Sequence, residues 1–174
     1  KDVRPGKKIA DDSPLNPTWP YPKSKVTTEK LMLEKYPDIP IVNLRLAGVY
    51  DDFCHSPTLS NQIIRIHETW MTSAPFPGNA DHGQAFLHLE DLIQAIALII
   101  EKRVSIKGFE TFVLGEEEVL SYRELQAEIG NYLRERKWPV IRVPQVVAKT
   151  GAAVMERIPF MREPFIKPWM IPHA

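Results

Sequence analysis

At 174 residues the chain is long enough to bury one domain-sized core. Its 22 acidic and 22 basic residues cancel and are well mixed, which removes the electrostatic case for a nucleic acid or anionic membrane partner. A single cysteine, Cys54, excludes an intrachain disulfide and supports neither a cysteine metal cluster nor a secreted disulfide scaffold, so a reducing cytoplasm is the expected location.

Residues 1–20 carry Pro5-Gly6, Pro14, Pro17 and Pro20 and read as a surface loop. The chain opens Lys1-Asp2-Val3-Arg4, with no initiator methionine and no apolar signal core, which reads as a cut end. A helix is predicted from Tyr21 to Lys35, with Pro22 tolerated in its first turn and Tyr36-Pro37 ending it. Ile41–Leu46 is an apolar, β-branched run between Pro40 and Gly48, the pattern of a strand buried on both faces of a parallel sheet. Ser60 to Met71 has Ile63, Ile64, Ile66 and Trp70 at roughly helical spacing, and Ala74–Asn79 is a rigid, proline-rich turn. A short strand over Ala85–Leu89 leads into a helix from Glu90 to Lys102, whose opening acids suit the helix dipole.

Thr111–Leu114 reads as a strand. Ser121 and Glu124 form the signature of a capping box, opening an amphipathic helix to Arg136 with Leu125, Ile129, Tyr132 and Leu133 facing inward. Val140–Val143 is a further strand and Gln145–Arg157 a helix. Beyond Ile158, prolines at 159, 164, 168 and 172 alternate with Phe160, Phe165 and Trp169, the pattern of an irregular tail packed over a core or partner. The longest uncharged runs stop short of the ~18–20 apolar residues that span a bilayer.

Within the first helix, Tyr21-Pro22-Lys23-Ser24-Lys25 places a phenol and an ammonium four residues apart on one face. A free phenol has a pKa of about 10, and a cation within about 4–6 Å favours its phenolate, which makes such a tyrosine a usable general acid or base. A solvated helix face produces the same spacing by chance, so its flanks matter: Asp12-Ser13-Pro14 and Pro17 before it, Ser24 directly before Lys25, and Glu29 one turn later. With these flanks the chain resembles the extended short-chain dehydrogenase/reductases, the NAD(P)-dependent epimerase, dehydratase and reductase family. Two later segments are similar to the same family: Arg45-Leu46-Ala47-Gly48-Val49-Tyr50-Asp51, and Phe86-Leu87-His88-Leu89-Glu90-Asp91.

The resemblance implies an α/β fold: the later part of a Rossmann-type parallel sheet plus a small C-terminal substrate lobe. Residues 1–60 would end the NAD(P)-binding part and residues 61–174 would form the substrate-binding part. It further implies Tyr21 and Lys25 as the catalytic pair and NAD or NADP as cofactor, held by Tyr21, Lys25 and the backbone of Ala47, Gly48 and Val49. The alternative is an ordinary strand-to-loop exit, for which Gly48 alone would suffice. The substrate would be a sugar-like or other small molecule with a hydroxyl or carbonyl. Gln84 and His88 are substrate-side candidates, although His88 could equally be a packed core histidine.

Departures from the family pattern are Leu46 for proline, Asp51 for glycine, and Gln84 where nucleotide-sugar enzymes carry an arginine. An amide cannot supply that positive charge, which disfavours a diphosphate-bearing substrate unless Arg65 or Arg162 compensates. The eight glycines lie at 6, 48, 78, 83, 108, 115, 130 and 151, too far apart for the glycine-rich turn that cradles a pyrophosphate. The expected partner is therefore a missing N-terminal half of the same fold, with a homodimer also open, and this segment alone should be inactive. The histidines at 55, 67, 82, 88 and 173 form no recognisable ligand set, even with Asp51 and Asp52 beside His55, so no metal is expected. No Gly-x-Ser-x-Gly elbow is present to support a serine hydrolase. The alternative to an enzyme is a non-catalytic relative that keeps the fold as a binding or scaffold module.

Overall fold

A computed structural model describes residues 9–68, 73–144 and 147. The chain divides into two compact units, one comprising residues up to Phe53 together with Ala85–Glu117, the other Cys54–Gln84 and the residues from Glu118 onward.

The first unit is built on parallel strands. Helix α1 (Pro20–Lys35) leads to β1 (Ile41–Leu46) and, after a one-residue break, to β2 (Gly48–Tyr50). The second passage of the chain supplies β4 (Phe86–His88), α3 (Leu89–Glu101) and β5 (Phe109–Leu114). β1 pairs with β5 in register Ile41 with Phe109 through Leu46 with Leu114, and β2 pairs with β4 from Gly48 with Phe86 to Tyr50 with His88. Helix α3 connects β4, the partner of β2, to β5, the partner of β1, and parallel strands linked through helices make up the Rossmann-type α/β class expected from the sequence.

Two details differ from the sequence reading. β1 is half-buried and Leu46 is exposed, because β1 has one ladder partner, β5, among the described residues. The stretch after Gly48 is a strand where a loop was expected, since pairing with β4 satisfies its backbone.

In the second unit, α2 (Pro57–Glu68) packs on α4 (Tyr122–Arg134), and β3 (Pro75–Phe76) pairs in parallel with β6 (Ile141–Arg142). α2 begins three residues earlier than its apolar spacing suggests; the rest of that predicted helix, residues 69–71, lies outside the described residues. The capping box forms as expected: Ser121 Oγ accepts the Glu124 amide and the Glu124 carboxylate accepts the Ser121 amide. Among the described residues Ile66, Ala74, Ala80 and Trp138 are the buried apolar side chains of this unit, joined by buried Ser56, Gln62, Ser73 and Gln126.

Gly130 is required where α4 meets Trp138, because a Cβ there would stand 2.5 Å from the tryptophan Cβ. Trp138 Nε1 donates to Ser73 Oγ at 2.8 Å, and Arg134 donates to the His67 carbonyl at the end of α2. Tyr132 corrects the sequence reading: it points outward, 90% exposed, because Gln126 and Gly130 occupy the inward stripe instead. The helix predicted over Gln145–Arg157 and the proline and aromatic tail lie outside the described residues, Val147 excepted.

Candidate active site

Helix α1 carries Tyr21 and Lys25 on one face, as four-residue spacing requires, with the Lys25 ammonium 5.3 Å from the centre of the Tyr21 ring. The tyrosine is 67% exposed, so its hydroxyl is open to a ligand. Ser24 turns away from this pair, donating to the Tyr21 carbonyl at 2.7 Å, and Thr28 donates to the Ser24 carbonyl at 3.0 Å. No residue of α1 is buried, so apolar burial does little to fix the helix. Polar anchors hold it instead: Glu29, one turn after Lys25, forms an ion pair with Arg45 of β1. The Arg45 guanidinium also donates to the Asp11 carbonyl at 2.9 Å, and the Asp11 carboxylate accepts the Val113 amide at 2.6 Å.

At the end of β1, the Ala47 amide donates to the Leu114 carbonyl at 2.9 Å and the Gly48 amide to the Ala85 carbonyl at 3.1 Å. Both donors are thus spent within the sheet. Gly48 faces β4, and strand alternation turns the backbone of Val49 away from it.

The carboxyl ends of β2 and β4, where ligands meet open α/β sheets, gather the sequence candidate His88 with Tyr50 and Glu116, which sequence reasoning missed as site residues. Tyr50 donates to Glu116 Oε1 at 2.8 Å and stands edge-on to His88 and to Phe86, at 5.1 and 6.0 Å between ring centres. The Glu116 hydrogen bond, then partial burial, then the charges of Glu116, Asp91 and Asp52 raise the Tyr50 pKa above that of a free phenol. Tyr50 is therefore a fixed donor, held protonated.

His88 accepts the Glu90 amide at Nδ1 (3.4 Å), capping α3, while its Nε2 lies 3.3 Å from Asp52 Oδ1. The neutral ring that accepts at Nδ1 carries its proton on Nε2, directed at Asp52. Alternating strand positions 48, 50 and 86, 88 were the available signal for this cluster; Glu116 follows β5 and carried none. Gln84 belongs to the second unit and is exposed.

An apolar cavity of about 500 Å³ lies between α3 and β5, lined by Ala95, Leu98, Ile99, Phe112 and Leu114, and excludes the residues above. Among the described residues no cluster of three or more His, Cys, Asp or Glu could hold a metal ion, and no helix is long and apolar enough to cross a membrane.

Comparison with known proteins gives this geometry a context. The sequence matches the NAD dependent epimerase/dehydratase family over residues 1–115. A comparison with curated proteins gives no match. Among solved structures, dTDP-glucose 4,6-dehydratase from Bacillus anthracis str. Ames, in complex with NAD, is 18% identical; the match has a TM-score of 0.66 and covers 82% of this chain and 45% of that one. UDP-glucose 4-epimerase from Thermotoga maritima, with UDP-glucose, is 20% identical at a TM-score of 0.55, over 74% of this chain and 42% of that one. UDP-glucose 4-epimerase from Thermus thermophilus, in complex with NAD, is 17% identical at a TM-score of 0.54, over 86% and 53%. The chain thus spans about half the length of each of these proteins. At such identities the likeness speaks for the fold, and the sequence match speaks for descent. Matched from residue 1 to residue 115 and folded like these proteins, the chain is a member of the NAD-dependent epimerase/dehydratase family.

Proposed function

We propose that the protein is an NAD(P)-dependent epimerase, dehydratase or reductase in which Tyr21 is the general acid/base. The observation that carries this reading is the Lys25 ammonium set 5.3 Å from the ring of an exposed tyrosine. The residues present fit the nicotinamide end of the cofactor. Lys25 has no hydrogen bond or ion pair among the described residues beyond its contact with the Tyr21 ring, leaving three N–H donors for a ribose hydroxyl. When bound, the nicotinamide supplies the hydride acceptor or donor. Tyr21 then takes the proton of a substrate hydroxyl as phenolate, or returns it to a carbonyl oxygen as phenol, and Lys25 offsets the negative charge while the phenolate exists.

Residues 1–60 end the cofactor-binding part and residues 61–174 serve the substrate; the pyrophosphate cradle and a third residue that aligns the substrate oxygen come from the portion of the family fold that this chain does not span. Substrates of the kind named for the relatives, a dTDP- or UDP-linked glucose, set the class to test first. A second reading, a relative that binds the nucleotide without turnover, draws support from Gln84 and Asp51 at positions where the family pattern differs.

One experiment separates the two readings. In the full-length protein, Tyr21→Phe should abolish turnover while NAD(H) affinity, followed by nicotinamide fluorescence, stays within about twofold of wild type. Unchanged turnover in that variant would remove Tyr21 from the chemistry.

A further inference from the structure

Asp11 holds one rung of the β1–β5 ladder from two sides. Arg45 and Val113 are register partners in that ladder. The Asp11 carbonyl accepts from the Arg45 guanidinium at 2.9 Å, and its carboxylate accepts the Val113 amide at 2.6 Å. Asp11 is itself set in a tight turn, in which the Ser13 amide donates to the Ala10 carbonyl at 3.0 Å and the Ala10 amide to Ser13 Oγ at 2.8 Å.

The same guanidinium reaches α1. Arg45 Nε and Nη2 donate to the two carboxylate oxygens of Glu29, which leaves Nη1 for the Asp11 carbonyl. A planar fork with five N–H donors can serve both partners, whereas an ammonium is a point charge without that plane. One side chain therefore fastens residues 11 and 29, and the segment between them carries Tyr21 and Lys25.

Little else fixes that segment. No residue of α1 is buried, and Trp19 gives its N-terminus no side-chain cap. A helix that presents a reacting hydroxyl tolerates little freedom, because a misplacement of about 1 Å can cost on the order of 100-fold in rate.

We propose that Asp11 is a positioning residue for catalysis: its two bonds, together with the Arg45–Glu29 pair, set where α1 presents Tyr21 and Lys25. The proposal rests on the reading of Tyr21 as the general acid/base and adds to it a residue that acts only through the helix. Tyr21 and Lys25 share that helix, so loss of the clip displaces the pair without separating them. Turnover then falls while the acid limb of the kcat profile keeps its place, a combination that separates positioning from a direct charge effect.

Steady-state kinetics of the full-length protein with UDP-glucose, from the substrate class proposed above, and amide hydrogen exchange over residues 20–29 test this. Asp11→Ala should lower kcat about tenfold, with KM within about twofold and the acid limb within about 0.3 pH unit of wild type. Its amides over residues 20–29 should exchange about threefold faster or more. Asp11→Asn keeps an oxygen for the Val113 amide and should hold kcat within about threefold of wild type. Asp12→Ala removes an equal charge from the next position and should match wild type in both measurements.

Wild-type exchange or wild-type kcat in Asp11→Ala would overturn the assignment, as would an equal loss in Asp12→Ala or in Asp11→Asn. A shifted acid limb in Asp11→Ala would also overturn it, since the aspartate would then act on Tyr21 through its charge. Failure of the proton-transfer reading looks different: turnover survives in Tyr21→Phe. The exchange measurement needs neither substrate nor Tyr21 and decides the clip by itself.

Discussion

Glu29 and Arg45, one on the helix of the proposed catalytic tyrosine and the other on the strand that follows it, form an ion pair that joins α1 to β1. Their side chains are 17% and 24% exposed, enough burial to strengthen the attraction and enough water to limit the desolvation cost. Arg45 then passes the connection to Asp11, and Asp11 to Val113 of β5. A helix without a buried residue is thereby located by charge and hydrogen bonds.

Removing one member of the pair, in Glu29→Ala or Arg45→Ala, should cost about 1–3 kcal/mol, between the values for exposed and fully buried pairs. Urea unfolding of both single variants and the double variant gives the coupling; additive losses would mean that the pair does not hold the helix.

Lys25→Met keeps the length of the side chain and removes its charge. Turnover should fall by about tenfold or more as the phenolate loses its cation, and NAD(H) should bind more weakly as the ribose loses a charged donor. The pattern differs from Tyr21→Phe, in which affinity is retained. Steady-state kinetics together with a fluorescence titration distinguish the two.

Alkaline pH tests the two perturbed tyrosines. Tyr50 and Tyr122 both hold their protons more tightly in the folded protein than the free phenol does at pKa 10.0, Tyr50 chiefly through Glu116 and Tyr122 chiefly through burial. The unfolded chain releases these protons first, so their contribution to stability is complete below pH 10 and is lost as pH rises through the folded-state values. Denaturant midpoints from about pH 9 to about pH 11.5 should fall more steeply for wild type than for Tyr50→Phe with Tyr122→Phe. Parallel curves would contradict these shifts.

Gly130→Ala should destabilise the second unit by about 1–3 kcal/mol. The new methyl would stand 2.5 Å from the Trp138 Cβ and 2.9 Å from the Arg136 carbonyl oxygen, and neither is the free end of a flexible side chain. Thermal unfolding followed by tryptophan fluorescence reads the loss.

The sequence carried the parts of this fold that depend on local chemistry. Pro22 and Pro37 bound the α1 reading, the mainly apolar segment Ile41–Leu46 between Pro40 and Gly48 marked β1, and Ser121 with Glu124 marked the start of α4, because caps, prolines and apolar segments act over a few residues. The pairing of Tyr21 with Lys25 was legible for the same reason. Contacts between distant segments were not. Tyr50 and Glu116 are 66 positions apart, and nothing in either neighbourhood names the other. Tyr132 was misread because its helical spacing fitted an inward stripe as well as an outward one, and the close approach of Trp138 at Gly130 decided between them.

The bond from Val113 to Asp11 closes a span of 102 residues. Such non-local contacts form late, since the chain must lose the freedom of a long loop before the contact returns any stabilisation. The loop leading into the tyrosine helix therefore settles after β5 has joined the sheet, although it is translated far earlier. Any lesion that delays β5, even one remote from α1, would leave the tyrosine proposed to transfer the proton the last to reach its station.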